Sequence, residues 1–188
     1  MTTQAMTAGP EWFGHPRGLF VCFATEMWER FSFYGMKYLL VLFLVQHHLF
    51  SDGEALRILG AYAALVYAMP LLGGIVSDRY LGQTKAVKLG GILLVLGHCA
   101  MAFEGIPATQ GIAGEVVRDD QAITVFYFAL ALIVVGVGLL KPNISTVVGR
   151  LYGENDQRRD GGFTIFYMGI NIGAASASLL CGWLASAY

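Results

Sequence analysis

The chain has little charge of either sign. Of its 188 residues, 13% are charged and 56% are hydrophobic, and the formal net charge is −1. A soluble domain of this length does not need so much apolar surface, whereas an integral membrane protein does. The lack of a basic excess also argues against a nucleic acid as partner.

Cysteine is scarce, and no catalytic motif is visible. Cys22, Cys99 and Cys181 lie in separate apolar segments, so we expect three small buried hydrophobic side chains and no disulfide framework or redox motif. His47 and His48 are adjacent and cannot share one helix face as metal ligands do. No glycine-rich phosphate loop or nucleophile elbow occurs. The sequence therefore predicts no enzyme, no metal site and no cofactor.

Five apolar segments are long enough to cross a hydrocarbon core of roughly 30 Å. They cover residues 18–48, 57–78, 86–104, 122–150 and 162–187. The linkers between them are polar, and the linker over 105–121 is expected to be the least ordered. These segments predict an all-α integral membrane protein, with residues 1–17 as an N-terminal segment and residues 18–188 as an incomplete transmembrane bundle.

Lysine and arginine are unevenly distributed between the two ends of these spans. One end holds seven, namely Arg17, Arg79, Lys85, Lys88, Arg150, Arg158 and Arg159. The opposite end holds only Arg57 and Arg118. Cytoplasmic loops carry the excess of such residues, so the N-terminus is predicted to be cytoplasmic. Five spans then place residue 188 on the far side of the membrane, and we expect the chain to be an incomplete protein.

Charged residues inside the first span are the most informative feature. On translocon scales, each charge at a helix centre costs roughly 2.5–3.5 kcal/mol, whereas a Leu, Ile or Phe gains about 0.3–0.6 kcal/mol. At about 100° per residue, one arc of the helix holds positions 26, 29, 30, 33 and 37. Glu26 and Arg30 form an i,i+4 pair with the acid first, which is the favourable order. The stripe is either a structural ion-pair network or a pathway for ions or a charged solute.

Polar groups also occur in three other spans. Lys141 precedes Pro142 in the fourth span, and it either pairs with Glu26 or Glu29 or extends towards the cytoplasmic interface. Asn171 lies among small residues at four-residue spacing, which is typical of a close helix contact. Tyr67 in the second span either packs or offers its hydroxyl to an internal cavity.

The turn after the second span carries glycine and charge. Gly82 suits a tight turn because it has no Cβ. Asp78 either satisfies backbone donors within this turn or pairs with a basic group across the cytoplasmic side. Together with Arg79, these residues form either an ordinary turn or a latch between helices that separate when a transporter changes state.

Four motifs occur in order along the chain. They are Glu26-x-x-Glu29-Arg30-Phe31 with Tyr34-Gly35, then Gly73-Gly74-x-x-Ser77-Asp78-x-x-x-Gly82, then Lys141-Pro142-Asn143, and Phe163-x-x-Phe166-Tyr167-x-x-Ile170-Asn171-Ile172-Gly173. In this order they resemble the helix signatures of the proton-coupled oligopeptide transporters, within the major facilitator superfamily. One departure is Phe33, where many members of that family have tyrosine, so a hydroxyl contact is missing there.

The resemblance implies symport of di- and tripeptides with protons by a multi-pass protein of the plasma (inner) membrane. Proton coupling would involve Glu26, Glu29, Arg30 and Lys141. The peptide site would be lined by Arg30, Tyr34, Tyr67, Lys141 and Asn171. Protonation of a Glu would release its basic partner to hold the peptide carboxylate. The proton is the coupling ion, and no cofactor is implied.

Family members have about twelve spans in two six-helix bundles, and this chain resembles only the first five. The expected partners are therefore a small peptide, the lipid bilayer and the missing C-terminal half. Two alternatives remain open. The substrate could instead be nitrate or another small anion on the same fold, or the chain could be a truncated membrane subunit that transports nothing.

Overall fold

Five long helices dominate the computed structural model, which describes residues 10–187. They are α1 (Arg17–Gln46), α2 (Asp52–Val76), α3 (Gln83–Met101), α4 (Asp120–Gly149) and α5 (Arg159–Ala187). A single π-helical turn, Ser77–Leu81, continues α2 before α3 begins. Two short antiparallel hairpins complete the secondary structure: β1 (Glu11–Trp12) with β2 (His15–Pro16), and β3 (Thr109–Gln110) with β4 (Val116–Val117).

The second helix begins earlier than hydropathy predicts. Ser51 forms a capping box: its hydroxyl accepts from the Glu54 backbone N–H, and the Glu54 carboxylate accepts from the Ser51 N–H at 3.0 Å. Such a box satisfies N–H groups that a helix start leaves without partners, so polar residues join the helix. The linker expected to be least ordered instead contains the β3–β4 hairpin, in which Gly111 N–H donates to the Glu115 carbonyl.

Helix α4 is the most buried of the five and packs between α2 and α3. Glycines make these contacts close. A Cβ on Gly90 of α3 would overlap the Gly136 carbonyl of α4, and a Cβ on Gly136 would overlap the Gly90 carbonyl. Gly73 of α2 meets the Gly138 carbonyl in the same way. Small residues at crossings let helix backbones approach closely, which is the usual packing of membrane helices.

Helix α1 packs against α5 through a second set of glycines. Gly169 lies against the Phe23 carbonyl, and Gly173 lies against the Met27 carbonyl and the Arg30 Cβ. The small residues of α5 therefore form a close helix contact, as their spacing predicts. The contact places α5 directly beside the charged segment of α1.

The predicted all-α membrane bundle is confirmed, and four of the helices in the described residues are long and apolar enough to span a bilayer. Helix α1 is not among them because every 18-residue window of Arg17–Gln46 contains at least three charged residues. That α1 also crosses the membrane stays a prediction. Cys22 and Cys181 are buried as expected, but Cys99 is exposed because it lies on the side of α3 opposite the α4 contact.

Candidate functional site

A buried cluster of three ionisable residues lies in the middle of α1. Glu26, Glu29 and Arg30 are only 3%, 4% and 5% exposed. The Arg30 guanidinium donates through Nε and Nη2 to both carboxylate oxygens of Glu29. Its Nε also lies 3.5 Å from Glu26 Oε1, so the predicted i,i+4 pair is present as the weaker of two interactions. We name Glu26, Glu29 and Arg30 the charge cluster.

One oxygen of the charge cluster has no partner. Glu26 Oε2 is buried and makes no hydrogen bond. A buried carboxylate oxygen without a donor is costly, because burial removes its hydration and returns nothing. The guanidinium directs its Nε–H and one Nη2–H to Glu29 and makes no hydrogen bond to Glu26 Oε2. Glu26 is therefore the least satisfied ionisable group of the cluster.

Aromatic rings link the charge cluster to α2 and α4. The Phe33 ring is buried, with the Arg30 guanidinium carbon 5.2 Å from its centroid. The Tyr67 ring of α2 lies edge-on to Phe33 at 6.1 Å, and Lys141 Nζ of α4 lies 5.3 Å from the Tyr67 centroid. Two cations on different helices thus face a pair of touching rings, an arrangement favoured by the negative ring faces.

Lys141 does not form the predicted salt bridge with Glu26 or Glu29. It is half-buried, and among residues 10–187 no carboxylate lies within 4.0 Å of its ammonium group. Its ammonium group lies against the ring of Tyr67 instead of an acid. Whether it also extends towards the cytoplasmic interface stays a prediction.

Three residues of the predicted stripe and peptide site lie outside the charge cluster. Lys37 is exposed, so the buried stripe is shorter than the helical arc predicts. Asn171 is also exposed, and its side chain donates to the Tyr167 carbonyl of its own helix at 3.3 Å. Tyr34 is partly buried, with its ring 5.3 Å from that of Phe33. A role for Asn171 in peptide binding stays a prediction.

Sequence reasoning missed Tyr62. This residue of α2 is only 3% exposed, its ring lies 6.4 Å from Phe33, and it interacts electrostatically with Glu29. Its position five residues before Tyr67 gave no signal in the sequence.

The predicted latch residues make local contacts. Asp78 accepts a hydrogen bond from Gln83 Nε2 at 3.1 Å, within its own turn, and Arg79 is exposed. Gly82 has φ +73° and ψ 148°, a conformation essentially restricted to glycine, which confirms the tight turn. A buried hydrogen bond from the Ser77 hydroxyl to Asn143 Oδ1 of α4 connects this turn to the bundle. The latch role of Asp78, Arg79 and Gly82 stays a prediction.

Within residues 10–187, no group of three or more His, Cys, Asp or Glu side chains is arranged to hold a metal ion.

Known proteins share both the sequence and the fold. The chain is 45% identical over 181 residues to an uncharacterized transporter, YclF, of Bacillus subtilis, covering 94% of this chain and 34% of that protein. It is 42% identical over 177 residues to a di-/tripeptide transporter of Lactococcus lactis, covering 90% and 32%. The peptide transporter YePEPT of Yersinia enterocolitica is 42% identical over 189 residues, with 97% and 34% covered.

Solved structures agree with these relatives. A peptide transporter POT in complex with sulfate superposes with a TM-score of 0.82 at 41% identity, covering 96% of this chain and 35% of that one. A POT family transporter in complex with 5-aminolevulinic acid gives 0.73 at 36% identity, covering 92% and 34%. The chain thus spans about a third of the length of the relatives it matches. Because the family model described as POT family matches residues 84–188 as well, this chain belongs to the POT family of multi-pass membrane transporters.

Proposed function

We propose that these five helices are the proton-coupling part of a transporter that carries di- and tripeptides together with protons. Membership of the POT family and 42% identity to a di-/tripeptide transporter support this substrate class. In the proposal, Glu26, Glu29, Arg30 and Lys141 serve proton coupling. Arg30 and Lys141 also meet the peptide carboxylate, and Tyr34, Tyr67 and Asn171 line the peptide site.

The observation that carries the proposal is the unequal state of the two acids. Both carboxylate oxygens of Glu29 accept hydrogen bonds from Arg30, whereas Glu26 Oε2 is buried without a partner. A proton on Oε2 would remove the cost of the unpartnered buried charge. We therefore assign the transported proton to Glu26 and the structural counter-charge to Glu29.

Proton and peptide are coupled through the shared cations. Arg30 interacts with two carboxylates, so a proton on Glu26 ends one of its two attractions. With Glu26 neutral, the charge cluster carries one negative charge fewer, so the guanidinium N–H groups that do not bond Glu29 attract a peptide carboxylate more strongly. Lys141, which rests on the Tyr67 ring with no acid within 4.0 Å in the described part of the chain, supplies a second cation for the same carboxylate. Loss of the proton would restore the negative charge of Glu26, which competes with the peptide carboxylate for Arg30, so peptide binding would weaken.

Transport in vesicles tests this assignment. The protein of the relatives' length that contains this chain is reconstituted, and labelled dipeptide is followed under an inward proton gradient and during exchange between equal peptide pools. We expect Glu26→Gln, Glu29→Gln and Lys141→Ala to lose gradient-driven uptake, while Glu26→Gln keeps exchange. Matched controls are Glu154→Gln and Lys88→Ala, which change the same residue types at exposed positions. Gradient-driven uptake that persists in Glu26→Gln would contradict the proton assignment.

A competition experiment in the same vesicles distinguishes a peptide substrate from an anion substrate. Unlabelled dipeptides should suppress uptake of labelled dipeptide, and nitrate at equal concentration should not. If nitrate competes and dipeptides do not, the protein is an anion symporter built on the same charge cluster. If the full-length protein moves neither solute under any gradient, a non-transporting role replaces the proposal.

A further inference from the structure

A small hairpin precedes α1 at the end of the molecule predicted to face the cytoplasm. Glu11–Trp12 and His15–Pro16 pair antiparallel, with Trp12 opposite His15. Phe13 and Gly14 form the two-residue turn and have φ values of +49° and +76°. Positive φ at both central positions gives the turn whose twist matches the strands, so the hairpin is a defined local structure.

The hairpin is attached to the loop between α4 and α5. Arg158 Nη1 lies 2.8 Å from Glu11 Oε1 and 2.9 Å from the Gly14 carbonyl oxygen. His15 Nδ1 lies 2.9 Å from the Tyr152 hydroxyl, and Tyr152 is buried. Contacts from three different hairpin residues fix its orientation relative to the bundle.

The hairpin also carries two exposed aromatic side chains. Trp12 is 50% exposed and Phe13 is 93% exposed. Both rings approach Phe20 on the first turn of α1, with centroid distances of 5.9 and 6.0 Å. Val21, the next residue of α1, is 65% exposed. The exposed rings therefore adjoin an exposed apolar residue at the start of α1, the helix predicted to be the first span.

Positive charge borders this aromatic surface. The Arg17 guanidinium carbon lies 5.1 Å from the Trp12 ring centroid, at the first residue of α1. Tryptophan is enriched at the level of the lipid headgroups, and basic residues just cytoplasmic of a span attract anionic lipids. At the start of a span, an arginine that lies on a tryptophan ring is placed to bind a lipid headgroup phosphate, while the ring contacts the acyl chain below it.

We propose that the hairpin Glu11–Pro16 is an interfacial anchor, which lays Trp12 and Phe13 into the cytoplasmic leaflet while Arg17 binds the phosphate of an anionic lipid. The occupant is the lipid surface because the exposed rings adjoin Arg17 and the exposed Val21 at the start of the predicted first span. Since Arg158 and Tyr152 hold Glu11 and His15, the hairpin cannot turn its rings inwards without breaking polar contacts. The anchor connects the leaflet to the α4–α5 loop, and it does not depend on which solute is carried.

Site-directed spin labelling tests the anchor in the full-length protein. Native cysteines are replaced, one nitroxide is attached at Phe13→Cys, and a matched label is attached at Glu154→Cys, an exposed position of the α4–α5 loop at the same end. Phe13 is almost fully exposed, so its replacement removes little packing. Collision rates with oxygen and with a water-soluble nickel chelate are measured in nanodiscs of phosphatidylcholine, with and without phosphatidylglycerol.

The proposal expects the Phe13 label to collide often with oxygen and rarely with the nickel chelate, and the Glu154 label to show the reverse. A Phe13 label as accessible to the chelate as the Glu154 label would overturn the proposal. A Phe13 label protected from both would also overturn it, because another part of the protein would then cover the hairpin. For the headgroup contact, Arg17→Gln should make the Phe13 label shallower with phosphatidylglycerol only, whereas Arg150→Gln should not. An unchanged depth in Arg17→Gln would overturn the assignment of Arg17.

Discussion

The guanidinium of Arg30 holds both carboxylate oxygens of Glu29, the residue directly before it in α1. Adjacent residues on a helix do not normally face each other. Phe33 lies beneath the guanidinium, and Gly173 of α5 lies against the Arg30 Cβ. As a consequence, Glu26 has the weaker of the two interactions with Arg30, which is the only cation in the charge cluster.

This arrangement predicts how the cluster responds to loss of its cation. Arg30→Met leaves two buried carboxylates without their counter-charge, and breaking a buried pair typically costs about 3–5 kcal/mol. The double variant Arg30→Met/Glu29→Gln removes one of those charges and should lose less stability than Arg30→Met alone. Unfolding of the detergent-solubilised full-length protein measures both. A double variant that is less stable than the single variant would show that charge burial is not the dominant cost.

Neighbouring glycines of α3 give a matched test of helix packing. Gly90 faces the Gly136 carbonyl and the Leu140 backbone, whereas a Cβ on Gly91 would meet nothing within 4 Å. Gly90→Ala should destabilise by about 1–3 kcal/mol because α3 and α4 must separate. Gly91→Ala should be neutral or stabilising by up to about 1 kcal/mol because alanine favours the helix. Equal effects at the two positions in thermal unfolding would contradict the observed crossing.

The buried hydrogen bond between Ser77 and Asn143 should stabilise the junction of the π-helical turn with α4. Ser77→Ala leaves Asn143 Oδ1 buried without its donor, which typically costs about 1–3 kcal/mol. Ser186→Ala is the control, since Ser186 is exposed and donates to the Trp183 carbonyl of its own helix. That control should stay within about 0.5 kcal/mol of the parent protein. A Ser77→Ala variant as stable as the control in the same unfolding assay would refute the prediction.

Tyr67 allows the ring and the hydroxyl to be tested separately. Tyr67→Phe keeps the ring against Phe33 and Lys141 but removes the hydroxyl, whereas Tyr67→Leu removes the ring as well. If the hydroxyl contacts peptide, Tyr67→Phe should raise the KM for dipeptide while kcat is maintained. Tyr67→Leu should lower both kcat and thermal stability. Identical kinetics in Tyr67→Phe and the parent protein would leave the residue a packing role only.

Stability at the opposite end of the bundle should depend on pH through His48. Burial, with the neighbouring His47 and Arg118, lowers the pKa of this loop histidine, and Asp119 acts in the opposite direction. Both ring nitrogens of His48 are buried without partners, so the folded state favours the neutral ring. At pH values above the ordinary pKa of about 6.5 the stability is complete. As pH falls below that value, the unfolded chain binds a proton that the folded chain resists, so stability falls.

Only one proton is involved, which limits how much stability is lost. The loss is at most about 1.4 kcal/mol for each pH unit between the pKa of His48 in the unfolded chain and its pKa in the folded chain. His48→Phe should flatten the dependence of Tm on pH between about 6.5 and 5. His47→Gln, a change at the half-buried neighbour, should keep most of it. An unchanged slope in His48→Phe would assign the pH dependence to other groups.

Much of the fold follows from local sequence. The apolar segments, the capping box at Ser51 and the glycines of α3 and α5 each depend on short-range physics, so the helices and their close-packing faces were predictable. The β3–β4 hairpin was not, because two-residue strands carry almost no periodic signal. Exposure of Lys37 and Asn171 was also not predictable, since helical periodicity gives a direction but not the neighbour found there.

The sequence by itself determined that α1 carries a charged stripe and that Lys141 lies in another apolar helix, because spacing along a helix sets the face on which a residue lies. Only the tertiary structure decided the partners. In the structure, Arg30 pairs with Glu29 instead of Glu26, and Lys141 lies against the Tyr67 ring instead of an acid. The physical reason is that partner choice among long side chains depends on ångström-scale distances between helices, and those distances are set by which glycine faces meet.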